Sequence, residues 1–341
     1  MLNQVVYDVF IEGEEDEKDE RGLRGTCRFK GDLEAFTKKG LEFSYVNKQG
    51  ERKQEYDFRD EYTVIGNMVC SPRSFFTAED NWFGFLVLSN DKKELVIVFR
   101  GTVTNKEWIE DATMTLEQLD GQPQDSWFTL FNSHKTLMVH SGFQQLYMQR
   151  SVNGIDSPKE TVNRLVAEHK GTLEKVTVVG HSLGGAMAQL CAIDLAQSQV
   201  LGKVPILAIT WASPRIGNQG LANWAKAMHP TLRILRIRVD SDAVTNAPPR
   251  WLWSTVYGGF RHLGTELYIS NKDLHAQGIV KADDGNSPNH DLEQYLHNID
   301  PTRDVALMNK YGDVIPDKHC IEHNISPMWH TQTWPRTIYN K

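Results

Sequence analysis

The run Gly180-His181-Ser182-Leu183-Gly184 sets a serine between two glycines, each two residues away. Such a serine can attack a carbonyl carbon if its hydroxyl stands clear of its neighbours. Clearance requires a tight, strained turn, and a tight turn leaves no room for flanking side chains. Gly180 and Gly184 sit where those collisions fall, and Gly185 and Ala186 extend the small surface. A β-branched run, 175–179, precedes the serine, and an Ala- and Leu-rich stretch follows it. The expected arrangement is strand, sharp turn and helix. The helix N-terminus then points at the reaction centre, where it favours developing negative charge.

A serine hydroxyl is a poor nucleophile without a base, and the base needs an orienting carboxylate. When a serine sits on such an elbow, its partners follow in the order Asp or Glu, then His, near later strand ends. A strand expected over 232–239 ends at Asp240-Ser241-Asp242-Ala243-Val244, which offers two carboxylates. The later histidines are His262, His275, His290, His297, His319, His323 and His330. His290 lies in a loop, Asn286-Ser287-Pro288-Asn289-His290, that leads directly into a helix-forming stretch, 291–296. That setting suits a base reaching across to Ser182, although spacing alone leaves both aspartates and several histidines open. No H-E-x-x-H motif, paired Cys/His spacing or calcium loop is present, and Asp283-Asp284-Gly285 lacks spaced carboxylates. Neither a metal nor a cofactor is expected.

These residues must be held by a larger frame. Residues 82–88 read as a strand, Asp91-Lys92 as a turn, and 94–100 as a buried strand paired with the first. Ser157-Pro158-Lys159-Glu160 is a helix start with Ser as N-cap, Pro at N1 and Glu at N3. That helix should run to His169 with Val162, Leu165 and Val166 on one face. The helix after Ser182 should reach about residue 199. A strand over 205–211 and a helix over 218–229 follow. Repeated β-α-β alternation gives an α/β protein with a mainly parallel sheet flanked by helices. Residues 1–60 are charged and irregular, so we expect an N-terminal extension over 1–60 and a single domain over 61–341.

Bulk properties narrow the function further. The chain has 341 residues, enough for a large core, with 40% apolar and 24% charged residues. Its net charge of −7 argues against a nucleic-acid partner and against strong attachment to anionic lipid. An acidic cluster, 12–20, reads as a solvated loop. No apolar run approaches the ~20 residues of a membrane span. The first residues lack a basic and an apolar signal region, so no signal peptide is expected. Cys27, Cys70, Cys191 and Cys320 show no paired spacing, as expected of free thiols in the cytoplasm. Asn324-Ile325-Ser326 then reads as a chance glycosylation triplet.

Several ordered blocks carry a family resemblance. They are Phe99-Arg100-Gly101-Thr102, Glu107-Trp108-Ile109-Glu110-Asp111, Val139-His140-Ser141-Gly142-Phe143 and the serine motif itself. Later come Ala212-Ser213-Pro214-Arg215-Ile216-Gly217-Asn218, Asp242-Ala243-Val244 before Pro248, His290-Asp291-Leu292-Glu293-Gln294-Tyr295-Leu296, and Asp304-Val305-Ala306-Leu307-Met308-Asn309-Lys310. From about residue 82 to 329 the chain resembles the class 3 lipase family, and within it the plant-type phospholipase A1 proteins. Thr245 departs from the pattern, standing where a proline is usual. The resemblance implies an α/β-hydrolase fold, with Ser182 as nucleophile, Asp242 rather than Asp240 as orienter, and His290 as base.

An oxyanion hole needs two donors, expected from the Leu183 backbone N–H and from Thr102 after the strand ending at Arg100-Gly101. The resemblance adds the Thr102 hydroxyl. It also implies a lid over 103–119, for which Trp108, Ile109, Ala112 and Met114 are candidates for an apolar face or for ordinary core packing. Trp251, Leu252, Trp253 and Tyr257 are candidates for an acyl groove or for ordinary core packing. The implied activity is serine hydrolysis of glycerolipid esters, as a phospholipase A1 or acylglycerol lipase, with peripheral contact to a membrane or lipid droplet. The alternatives are a soluble carboxylesterase and a non-catalytic lipase-like interaction protein.

Overall fold

The structure, a computed structural model, describes residues 2–11, 23–46, 51–70, 80–101, 115–122, 136–151, 153–239, 242–269, 290, 292–299, 308–309 and 337–339. Valine and isoleucine runs bounded by turn residues build the centre. The main-sheet strands in chain order are β1 (Phe10–Ile11), β2 (Leu23–Cys27), β3 (Tyr62–Cys70), β4 (Asp80–Ser89) and β5 (Glu94–Phe99). They continue with β6 (Lys175–His181), β7 (Ile206–Trp211), β8 (Leu232–Val239), β9 (Thr265–Ile269) and β10 (Thr337–Tyr339). Their spatial order is β1-β2-β4-β5-β6-β7-β8-β9-β10, with β3 on β4. From β5 to β9 every neighbour is parallel. The antiparallel pairs lie towards the edges: β1 on β2, β3 on β4, β4 on β5, and β9 on β10. This mainly parallel sheet with helices on both faces is the α/β-hydrolase fold.

The helices are α1 (Leu2–Asp8), α2 (Leu33–Gly40), α3 (Ser141–Met148), α4 (Pro158–His169), α5 (Leu183–Ser198), α6 (Gln219–Ala227), α7 (Ser254–Tyr257) and α8 (Leu292–Ile299). Side-chain alternation along the strands divides the core in two. Leu95, Ile97 and Phe99 of β5 pack with Leu165 of α4, Leu190 and Ile193 of α5, and Phe143 of α3. Val96 and Val98 face the other way, towards Val5, Val6 and Val9 at α1, Phe36 of α2 and Tyr295 of α8. Helix α5 buries residues all round, from Leu183 to Ala196, which explains its lack of a polar face.

The helix α4 starts as its sequence requires. Ser157 Oγ accepts from the Glu160 N–H, the Glu160 carboxylate accepts from the Ser157 N–H, and Pro158 occupies the first turn. Strands β4 and β5 meet at a turn where Lys92 has φ 61°. One difference concerns the segment before residue 61, which carries regular structure. Strands β1 and β2 extend the main sheet, and Glu42–Val46 pairs with Arg52–Asp57 in a separate hairpin. Periodicity did not reveal these elements because β1 and β2 span only two and five residues. Beside the carboxyl ends of the parallel strands, Leu116–Gln118, Met138–His140, Gly217–Asn218 and Phe260–Arg261 form a small antiparallel sheet.

Candidate active site

Ser182 occupies the turn between β6 and α5 with φ 57° and ψ −125°, a strained backbone for a non-glycine residue. Close backbone contact creates the turn. A Cβ on Gly180 would collide with the Gly184 carbonyl, and one on Gly184 would stand 2.6 Å from the Phe99 carbonyl oxygen. A Cβ on Gly185 would meet Ser213 Cβ at 2.8 Å. The glycines therefore let β6, α5 and the end of β5 converge on the serine.

Three chain segments meet there. His290, which precedes α8, places Nε2 2.8 Å from Ser182 Oγ. Its Nδ1 lies 3.0 Å from each carboxylate oxygen of Asp242, which follows β8. Ser182 and Asp242 are fully buried and His290 is 2% exposed. In this arrangement Nδ1 donates to the carboxylate, and Nε2 can accept the serine proton. Asp242 has two further donors, the Val244 N–H at 2.9 Å and the Tyr295 hydroxyl at 2.7 Å. These bonds hold a buried anion whose charge would otherwise be costly. Asp240, the competing carboxylate, lies outside the described residues.

Tyr295 was not singled out by sequence. It sits on α8, five residues after His290, fully buried, and its oxygen also accepts from the Val239 N–H at 3.1 Å. Burial, and then the adjacent Asp242, push its hydroxyl well above the usual phenol value, so it remains a donor. His181 is a second residue sequence reasoning passed over. Its Nε2 is 2.5 Å from the His290 carbonyl oxygen, and its Nδ1 is 2.9 Å from the Tyr7 hydroxyl. Burial, and then the neighbouring His290, hold the His181 pKa well below the ordinary histidine value.

Leu183 opens α5, so its N–H is one of the first-turn donors without an intrahelical acceptor. Thr102 lies outside the described residues, but the backbone leading to it is held. Arg100 Nη1 donates to the Gly101 carbonyl at 2.8 Å, and the guanidinium stacks 3.8 Å from the Phe10 ring centre. Trp108, Ile109, Ala112 and Met114 also lie outside the described residues. The end of the expected lid segment, Leu116–Gln118, is a strand paired with Met138–His140. Of the groove candidates, Trp251 is 73% and Trp253 39% exposed, so neither belongs to the core. Leu252 and Tyr257 are half-buried.

Comparison with known proteins follows the same line. The family model "Lipase (class 3)" matches residues 96–251. Phospholipase A1-II 4 of Oryza sativa subsp. japonica is 27% identical over 292 residues, covering 77% of this chain and 68% of that protein. Phospholipase A1-Ialpha2, chloroplastic, of Arabidopsis thaliana is 26% identical over 314 residues, covering 80% of this chain and 61% of that protein. The chain spans about two thirds of the length of the curated relatives it matches. Among solved structures, lipase II from Rhizopus niveus is 27% identical with a TM-score of 0.45, covering 61% of this chain and 67% of that one. Residues 96–251 thus match the class 3 lipase family, and over most of its length the chain is similar to plant phospholipases A1, which are carboxylic ester hydrolases.

Proposed function

We propose that the chain is a serine lipid acyl hydrolase that cleaves glycerolipid esters, as a phospholipase A1 or an acylglycerol lipase. The observation that carries this reading is the unbroken buried contact from Ser182 Oγ through His290 to Asp242. Ser182 attacks the ester carbonyl while His290 Nε2 takes the hydroxyl proton, and Asp242 stabilises the imidazolium. The Leu183 N–H and Thr102 hold the oxyanion. His290 then gives its proton to the departing alcohol oxygen. Water, deprotonated by His290, attacks the acyl-enzyme and releases the fatty acid, restoring Ser182.

The family match and the names of the plant relatives support a lipid substrate. Peripheral contact with a lipid surface is supported by the exposed Trp251 and Trp253, which follow Asp242 and flank Leu252. Indole rings favour the interface between water and acyl chains. The guanidiniums of Arg250 and Arg261 act on one another nearby, giving this region a positive character within an acidic chain. Among the described residues no helix is long and apolar enough to cross a membrane. Cys27, Cys70 and Cys191 are buried free thiols, which suits the cytoplasmic location expected from sequence.

The test is turnover of phosphatidylcholine, galactolipid, triglyceride and short p-nitrophenyl esters by the wild type and Ser182→Ala. Wild-type cleavage of at least one long-chain glycerolipid is expected, with loss of about 10⁴-fold or more in the variant. Turnover that survives in Ser182→Ala would refute the serine mechanism. Activity confined to short soluble esters would establish the carboxylesterase alternative. In the same assay, Trp251→Ser with Trp253→Ser should weaken vesicle binding and leave short-ester turnover intact. Unchanged vesicle binding would remove these tryptophans from the contact surface.

A further inference from the structure

The residue before the nucleophile is tied to helix α1 through a hydrogen-bond chain with a determined direction. The His290 carbonyl can only accept, so His181 Nε2, 2.5 Å away, carries the hydrogen. Neutral His181 then presents a bare Nδ1, and the Tyr7 hydroxyl 2.9 Å away must donate to it. The Tyr7 oxygen in turn accepts from the Gly101 N–H at 3.0 Å. The complete order is Gly101 N–H to Tyr7 Oη, Tyr7 O–H to His181 Nδ1, and His181 Nε2–H to the His290 carbonyl. Every donor has one acceptor only when His181 is neutral and Tyr7 is protonated.

Both conditions suit the environment. His181 is 5% exposed, and its ring centre lies 5.0 Å from that of His290. Among the described residues, the titratable groups facing it are Tyr7 from α1, His290, and Tyr295 from α8. None of them is an anion at neutral pH that would favour a charged His181. Burial raises the Tyr7 pKa to about 12 against the opposing effect of Arg100, so its proton stays in place. Gly101 packs so closely that a Cβ there would lie 2.5 Å from Tyr7 Oη and 2.8 Å from the His181 carbonyl oxygen.

We propose that Tyr7 is a positioning residue whose hydroxyl clamps two backbone points of the catalytic centre. Through His181 it fixes the main chain of the base His290. Directly, it fixes Gly101, the residue before the oxyanion candidate Thr102. It also occupies the only site at which His181 could take up a proton. The second imidazole therefore remains neutral while His290 becomes a cation during turnover, and repulsion between two imidazoliums is avoided. An N-terminal helix outside the matched family region thereby takes part in catalysis. This inference rests on the serine mechanism proposed above.

Tyr7→Phe removes the hydroxyl and keeps the ring that packs edge-on against His181. Histidine-ring ¹⁵N spectra of the wild type should show His181 neutral and protonated at Nε2 from pH 6 to 8. In Tyr7→Phe the bare Nδ1 resonance should move downfield as its hydrogen bond is lost. On a short soluble ester, kcat per active site titrated with a covalent phosphonate should fall ten- to a hundredfold, with KM within about twofold. A wild-type His181 that is cationic or protonated at Nδ1 overturns the proposal whether or not the variant folds. So does a folded variant with unchanged kcat per titrated site, or with a change in KM alone. Failure of the phosphonate to label Ser182 would instead refute the serine mechanism, while the ¹⁵N result would still report on the clamp.

Discussion

Asp242 illustrates how single residues acquire their roles from partners far along the chain. It faces His290 48 residues away and Tyr295 53 residues away, and it accepts from Val244 within its own loop. A carboxylate held in place by several donors orients the imidazole ring. Tyr295→Phe removes one donor from Asp242 and leaves the buried Val239 N–H without its acceptor. We expect a stability loss of about 1–3 kcal/mol and a fall of about tenfold in kcat. Denaturant unfolding and steady-state kinetics measure the two effects separately. A loss of stability at constant kcat would confine Tyr295 to a structural role. Ser182 was legible in sequence because a G-x-S-x-G motif is a local pattern, whereas His290 came from the family resemblance, since a histidine before a helix start is one of several. Tyr295 and His181 were not legible, because a hydroxyl or imidazole in an apolar helix or strand looks the same whether or not it bonds a catalytic group.

At the scale of elements, the turn between β6 and α5 depends on what approaches it. Gly180 and Gly184 are required because backbone atoms of α5 and β5 lie where their side chains would be. Gly171 is different: nothing lies within 4 Å of a Cβ built there. Gly180→Ala should cost about 3 kcal/mol, since backbone cannot yield as a flexible side chain does. Gly171→Ala should stay within about 0.5 kcal/mol. Equal unfolding free energies for the two variants, measured in denaturant, would contradict the close-approach account. The central strands were legible because burial on both faces demands long β-branched runs. The sequence expected 232–239 and the structure has Leu232–Val239; it expected helix from 158 to His169, and the structure has Pro158–His169. The short strands β1 and β2 were illegible, since two to five residues carry no usable periodicity and their pairing comes from the sheet they join.

The whole molecule stores several histidines in uncharged form, and this makes its stability depend on pH. Burial pushes His140 down to about 4, and burial with His290 holds His181 well below its ordinary value. On unfolding, both take up protons near the ordinary value of about 6.5. Below that pH the unfolded state binds more protons, so stability rises with pH. Their contribution is whole above about pH 6.5 and is lost as the pH falls towards the folded values. The slope is at most about 1.4 kcal/mol per pH unit for each histidine. Urea midpoints should therefore drop between pH 7 and 5, and His140→Gln should flatten the drop. Midpoints independent of pH over that range would contradict it. Taken alone, the sequence determined the layered α/β architecture and the strained serine turn, because both depend on local spacing of β-branched residues, glycines and caps. Spacing alone left both aspartates and several histidines open, the family resemblance named Asp242 and His290, and the tertiary structure brings them to Ser182, with the histidine contact spanning 108 residues. Only it brought Tyr7 to His181 across 174 residues. Such contacts arise from how the sheet stacks its strands and which helices cover each face, and no window of sequence contains both partners.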